Sequence, residues 1–118
     1  MPEAELRVTV EARPGLAVIR VEGAVDHLHS YKLEEAIQTQ LDRKVLRLVV
    51  DLTRLSYISS AGINTLGHAV SQFDRVNGKF CCVRPADAAQ WQFFTTIGVD
   101  LVFPWAASLD EALRRVSA

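Results

Sequence analysis

"KVLRLVVDLTRLSYISSAGINTL", residues 44 to 66, decides how the chain folds. Its first part, Lys44 to Leu52, is almost continuously apolar, as expected of a central strand buried on both faces. From Ser60 the pattern changes: Ile63, Leu66, Val70 and Phe73 recur at helical spacing. The segment between, "TRLSYISSAG", reads as a loop. A buried strand that feeds a helix is half of a β-α-β unit, which calls for a largely parallel sheet.

The flanks extend the alternation. "ELRVTVEA" sets Leu6, Val8 and Val10 against Arg7, Thr9 and Glu11, the period of a half-buried strand. "RPG" at Arg13 to Gly15 turns the chain into "LAVIRVEG", so it opens with an antiparallel hairpin. A helix is predicted from Tyr31 to Leu41, with Ser30 as its N-cap and Leu33, Ala36, Ile37 and Leu41 as its apolar stripe. Beyond the second helix, Gly78 is expected as the left-handed stop before the strand "FCCV". Pro85 is expected to open a third helix with Phe93 and Ile97 on its apolar stripe and Trp91 turned away from it, closed by Gly98. "DLVF" reads as the last strand, and Ser108 with Glu111 forms a capping box for "LDEALRRV". The expectation is one α/β domain over residues 1–118: a mixed, mostly parallel five-stranded sheet with four helices, in the order β-β-α-β-α-β-α-β-α.

Bulk properties narrow the function. The 118 residues suffice for one core without a metal or disulfide framework. The 13 basic and 14 acidic residues leave a net charge of -1 without a block of either sign, which disfavours direct nucleic-acid binding. No stretch approaches the roughly 20 apolar residues of a membrane span, and the N-terminus carries no signal-peptide core, so a cytoplasmic protein is expected. Cys81 and Cys82 are adjacent in a strand, point to opposite faces and read as small hydrophobes.

The loop at the carboxyl end of the most buried strand is where an open α/β sheet collects functional groups. A serine hydrolase would need Gly-x-Ser-x-Gly, but Ile58 stands at the first glycine of the frame around Ser60. His68 is about 12 Å further along the same helix at 1.5 Å per residue, too far to act on that serine. No enzyme is expected. Neither phosphate-loop motif is present, and "DHLH", Asp26 to His29, lacks a second cluster to complete a metal shell, so neither cofactor nor metal is expected. Two readings of the serines remain open: helix N-cap, and a free hydroxyl accessible to a kinase. Asn64, His68, Gln72 and Arg75 form a polar row opposite the apolar stripe of the second helix.

Two segments carry a resemblance. "VEGAVDH" is similar to the Gly-x-Leu-Asp segment of the STAS domain family, and "LVVDLTRLSYISSAGINTL" resembles that family's strand, Asp-Leu, Asp-Ser-Ser/Ala-Gly and helix; Gly78 and "TIGVDLVF" also sit where the family has similar residues. Nearly the whole chain is covered, and within the family it resembles the small, free-standing anti-sigma factor antagonists of bacteria. The resemblance implies a partner-switching module. It would bind an anti-sigma factor with serine kinase activity, be switched off by phosphorylation at Ser60 and be reset by a serine phosphatase. Asp26, Ser59, Ser60, Ala61 and Gly62 match the family's contact loops, while Asn64 and His68 extend the contact surface by their nearness to the loop. Ser59 stands where an acidic residue is usual, which makes it an alternative acceptor, and Asn64 stands where glycine is frequent. A phosphorylation-independent STAS scaffold, transport component or sensor is the rival expectation, and the protein is expected to be a monomer or weak dimer.

Overall fold

Pro14 and Gly15 close a two-residue turn, with Gly15 at φ 70°, and the chain folds back on itself from there. A computed structural model describes residues 5–117; residues 1–4 and 118, which the one-domain and N-terminal expectations also covered, lie outside the described residues. The elements are β1 (Arg7–Arg13), β2 (Leu16–Val25), α1 (Ser30–Asp42), β3 (Arg47–Ile58), α2 (Ser60–Arg75), β4 (Lys79–Val83), α3 (Ala88–Ile97), a 3-10 helix (Val99–Leu101), β5 (Trp105–Ala106) and α4 (Leu109–Ser117). The expected order of strands and helices is the observed one.

The strands lie side by side in chain order, β1 antiparallel to β2 and every other pair parallel. Successive crossovers of one hand, each stepping one strand along, place α1, α2 and α3 on the same face. Leu48, Val50 and Leu52 of β3 enter the core beneath them with Ile19, Leu33, Leu66 and Phe73. α4 covers the other face, where Val49, Val18, Cys81 and Val83 meet Ala112 and Val116. The adjacent cysteines therefore point to opposite layers. Burial pushes both thiols up, which keeps them protonated and inert.

β3 runs six residues past Leu52, where its apolar run ends, and most of the expected loop is strand. Its pairing with β2 continues to Ile58 across two shifts of register. The second shift, a β-bulge, advances β3 by two residues while β2 advances by one. Leu52, Leu55 and Ile58 are consequently all buried although they are three apart, a spacing that imitates no strand. Beyond the reach of the nine-residue α4, Thr53 and Arg54 face solvent.

Several termini differ from expectation. α1 begins at Ser30 itself; no side chain caps it at His29, and the Asp26 carboxylate accepts from the His29 N–H at 2.8 Å instead. After α2 the left-handed residue is Asn77, φ 56°. Gly78 is needed for space, since a Cβ there would stand 2.9 Å from both the Leu46 carbonyl oxygen and Phe73 Cδ2. α3 starts three residues after Pro85, capped by Asp87, whose Oδ1 accepts from the N–H groups of Ala89 and Gln90. Gly98, φ 86°, closes it as expected. "DLVF" contains the end of the 3-10 helix and no strand; the short β5 pairs with Cys82 and Val83.

The third helix also presents a different face. Phe94 is buried, Trp91 is half-buried edge-on against Trp105 at 5.2 Å, and Phe93 and Ile97 are exposed. Trp105 explains this, because its ring stacks between Phe94 and Phe103 and its Nε1–H donates to the Val99 carbonyl. Ser108 and Glu111 cap α4 as expected in outline: the Glu111 N–H donates to Ser108 Oγ, and the Glu111 carboxylate accepts from the Ala107 N–H.

Two buried side-chain oxygens, on Gln40 and Asp100, have no hydrogen-bond partner among the described residues. Gln40 is 2 % exposed. An unpaired buried acceptor costs about 1–3 kcal/mol, whereas an apolar group of similar shape costs nothing of this kind. Gln40→Met is expected to raise unfolding stability by about 1 kcal/mol in urea denaturation; a lower midpoint would show that the amide is satisfied in solution.

Candidate functional site

At the carboxyl ends of β2 and β3 the backbone of the two loops is tied together. The Ser59 N–H donates to the Val25 carbonyl at 2.8 Å. This bond sets the segment that begins at Asp26 beside the start of α2. Ser59 has extended backbone, φ -81° and ψ 168°, and its Oγ accepts from the Gly62 N–H at 3.3 Å. Its side chain is buried and occupied as a helix N-cap.

Ser60, the first residue of α2, is exposed. Among the described residues its hydroxyl makes no hydrogen bond, and neither its N–H nor that of Ala61 has an acceptor. The two adjacent serines thus divide the open alternatives: Ser59 caps, and Ser60 presents its hydroxyl to solvent at the positive end of a helix.

Gly62 is buried and belongs to the packing of this junction. A Cβ there would come within 2.6 Å of Ile58 Cγ1 and 2.9 Å of Val25 Cγ1, far inside van der Waals contact. Asp26 holds the neighbouring loop. Its Oδ1 accepts from the His29 backbone N–H and lies 2.7 Å from His29 Nδ1. The bond with the His29 side chain holds the Asp26 carboxyl below its ordinary value. A carboxylate lowered in this way supports the folded loop above the ordinary aspartate range, and that support is lost as pH falls through the lowered value.

Asn64 and His68 are exposed on α2, one and two turns beyond Ser60. Together with Ala61, Thr65 and Gln72 they form one wall of a groove of about 390 Å³, whose other wall is Ser30, Glu34, Ile37 and Gln38 of α1. The expected polar row divides here. Gln72 is half-buried and its amide donates to Gln38 at 3.5 Å, while Arg75 lies outside the groove. Asp26, Ser59, Ser60, Ala61 and Gly62 therefore meet at one junction, and Asn64 and His68 lie along the groove leading from it.

Sequence reasoning missed the apolar part of this end of the sheet. Leu28 and Tyr31 follow Asp26, Tyr57 immediately precedes Ile58, and all three are at least half exposed or nearly so (75 %, 50 % and 49 %). The available signal was local: Leu28 stands between two histidines in a turn, where no periodicity would bury it. Among the described residues no three His, Cys, Asp or Glu side chains gather as a metal shell requires.

The geometry separates structural from exposed roles. Ser59→Ala is expected to lower stability by about 1 kcal/mol through loss of the cap. Gly62→Ala should cost about 1–2 kcal/mol net, overcrowding outweighing the gain in helix propensity. Ser60→Ala should stay within about 0.5 kcal/mol of the parent. Equilibrium urea unfolding of the three variants checks the ranking, and a Ser60→Ala loss as large as that of Ser59→Ala would contradict it.

Known proteins share this architecture. The sequence pattern of the STAS domain matches residues 7–112. BtrV of Bordetella bronchiseptica, named as a candidate anti-sigma factor antagonist, is 29 % identical over 109 residues, 91 % of each chain. The anti-sigma-F factor antagonist RsfB of Mycobacterium tuberculosis is 29 % identical over 111 residues, covering 94 % of this chain and 89 % of RsfB. An anti-sigma factor antagonist from Mycobacterium paratuberculosis, known from its crystal structure, superposes with a TM-score of 0.85 at 26 % identity, over 97 % of this chain and 96 % of that one. With its sheet order, its helix layer and nearly its full length matched, the chain belongs to the STAS domain family.

Proposed function

We propose that the protein is an anti-sigma factor antagonist in the bacterial cytoplasm, controlled by phosphorylation of Ser60. The observation that carries the proposal is the division of labour at the start of α2: Ser59 is buried as the cap, and Ser60 is exposed, its hydroxyl without a partner among the described residues. The relatives named above as antagonists of anti-sigma factors support the partner class.

Binding follows from the surface around Ser60. The groove between α1 and α2 offers Asn64, His68 and Glu34 for polar contacts, and Leu28, Tyr31 and Tyr57 offer apolar anchors at the same end of the sheet. A few large side chains of this kind carry most of the affinity of a protein interface. The partner in this reading is an anti-sigma factor that is also a serine kinase. In its complex the Ser60 hydroxyl takes the γ-phosphoryl group of ATP, with ADP leaving and the serine proton released.

The product is a phosphate of roughly -1.5 to -2 charge at the helix N-terminus, where the free N–H groups of Ser60 and Ala61 can donate to it. The charge is stabilised within the chain and expelled from a close-fitting interface. A serine phosphatase restores the binding form by hydrolysis.

The test is incubation with ATP and each anti-sigma kinase of the source organism, followed by intact mass and site mapping. One phosphate at Ser60, absent from Ser60→Ala, is the expected result. Ser60→Asp is expected to weaken kinase binding at least about tenfold, a change of roughly 1.4 kcal/mol, with an unchanged melting temperature. Leu28→Ser should weaken binding to a similar degree. A kinase that binds tightly without modifying Ser60 would establish the phosphorylation-independent scaffold instead.

A further inference from the structure

We propose that β1 is a homodimerisation edge, pairing antiparallel with β1 of a second copy across a two-fold axis through Thr9. β1 is the outer strand of the sheet and spans seven residues, long for an edge left without a neighbour. Its pairing with β2 runs without a bulge, so no irregularity turns the edge away from a partner. The two-residue turn makes Arg13 and Leu16 a hydrogen-bonded pair, which directs the main-chain groups of Arg7, Thr9, Glu11 and Arg13 towards β2. Those of Val8, Val10 and Ala12 are directed outwards.

The occupant follows from charge. With Thr9 opposite Thr9, Arg7 faces Glu11, Glu5 faces Arg13 and Val8 faces Val10 of the second copy. Val8 and Val10 then exchange main-chain hydrogen bonds. The neighbouring two-fold registers each oppose like charges: Glu5 to Glu11 about Val8, Arg7 to Arg13 about Val10, and Glu11 to itself about Glu11. Like charges directly opposite are destabilising, so the strand specifies one self-pairing and rejects its neighbours.

The layer above is compatible. α1 packs against both β1 and β2, so two copies joined at β1 about a two-fold axis normal to the sheet carry their α1 helices on the same face, on either side of the seam. The seam runs along an existing groove of about 500 Å³ between α1 and β1, floored by Leu6, Val8, Val10 and Ala36 and carrying Lys32 and Glu35 on its helix side. One base and one acid from each copy thus face the seam. The proposal is independent of the Ser60 switch and leaves the α2 end of each copy accessible.

Opposed residues of a non-hydrogen-bonded antiparallel pair bring their Cα atoms to about 4.5 Å, within disulfide reach. The test uses the full chain, in which Cys81 and Cys82 are buried. Thr9→Cys is expected to form a disulfide-linked dimer under mild oxidation, while Arg7→Cys alone and the exposed Ser71→Cys stay monomeric. Arg7→Cys mixed with Glu11→Cys should give the heterodimer. Sedimentation velocity of the parent chain should show a species that grows with concentration. Thr9→Cys crosslinking no faster than Ser71→Cys overturns the proposal, and so does a parent chain that stays monomeric at every concentration.

Discussion

A side chain that is absent organises the functional end of this molecule. Because Gly62 has no Cβ, the first turn of α2 settles directly onto Ile58 and Val25, closer than any other residue permits. That approach brings the Ser59 N–H to the Val25 carbonyl and turns the Ser59 hydroxyl inwards to the Gly62 N–H. With one serine committed, the next residue in the helical turn must face outwards. The exposure of Ser60 is therefore a consequence of close packing two residues away.

The same junction explains why a serine can stand where the family commonly has an acid. Asp and Ser are both good N-caps, because each carries an oxygen that can accept from the second or third N–H of a helix. Ser59 performs that task through the Gly62 N–H. The substitution preserves the local structure and removes a negative charge beside Ser60. Its consequence falls on whatever docks there, and the fold is untouched.

The fold was legible where burial imposed a single period. β2, the first half of β3 and the stripe of α2 each had one layer or two to satisfy, and the residues alternate accordingly. Legibility failed where another constraint governed. The two register shifts along β3 place Leu52, Leu55 and Ile58 in one core at a spacing of three, so a strand resembled a loop. Trp105, eight residues past the end of α3, supplies the ring that Phe94 packs against, so Phe93 and Ile97 lie outside the core despite their helical spacing. Asn77 adopts the left-handed conformation that the neighbouring glycine suggested, because Gly78 is required for its lack of bulk. At the site, the serines, Asp26 and the polar residues of α2 could be read from motif and spacing. Leu28, Tyr31 and Tyr57 could not, since an exposed apolar residue has no period.

The arrangement also determines what a charge at Ser60 can and cannot do. The Ser60 side chain is exposed, and among the described residues the two N–H groups nearest to it have no acceptor. A phosphate there replaces water at donors that were already solvated, and it lies at the end of the helix dipole that favours it. The folded state therefore has little cause to resist or relax. A bound partner has no such freedom, because an interface that fits closely around a neutral hydroxyl must either solvate two negative charges or release them. Under the phosphorylation proposed for Ser60, the energetic effect would fall on the complex and not on the fold.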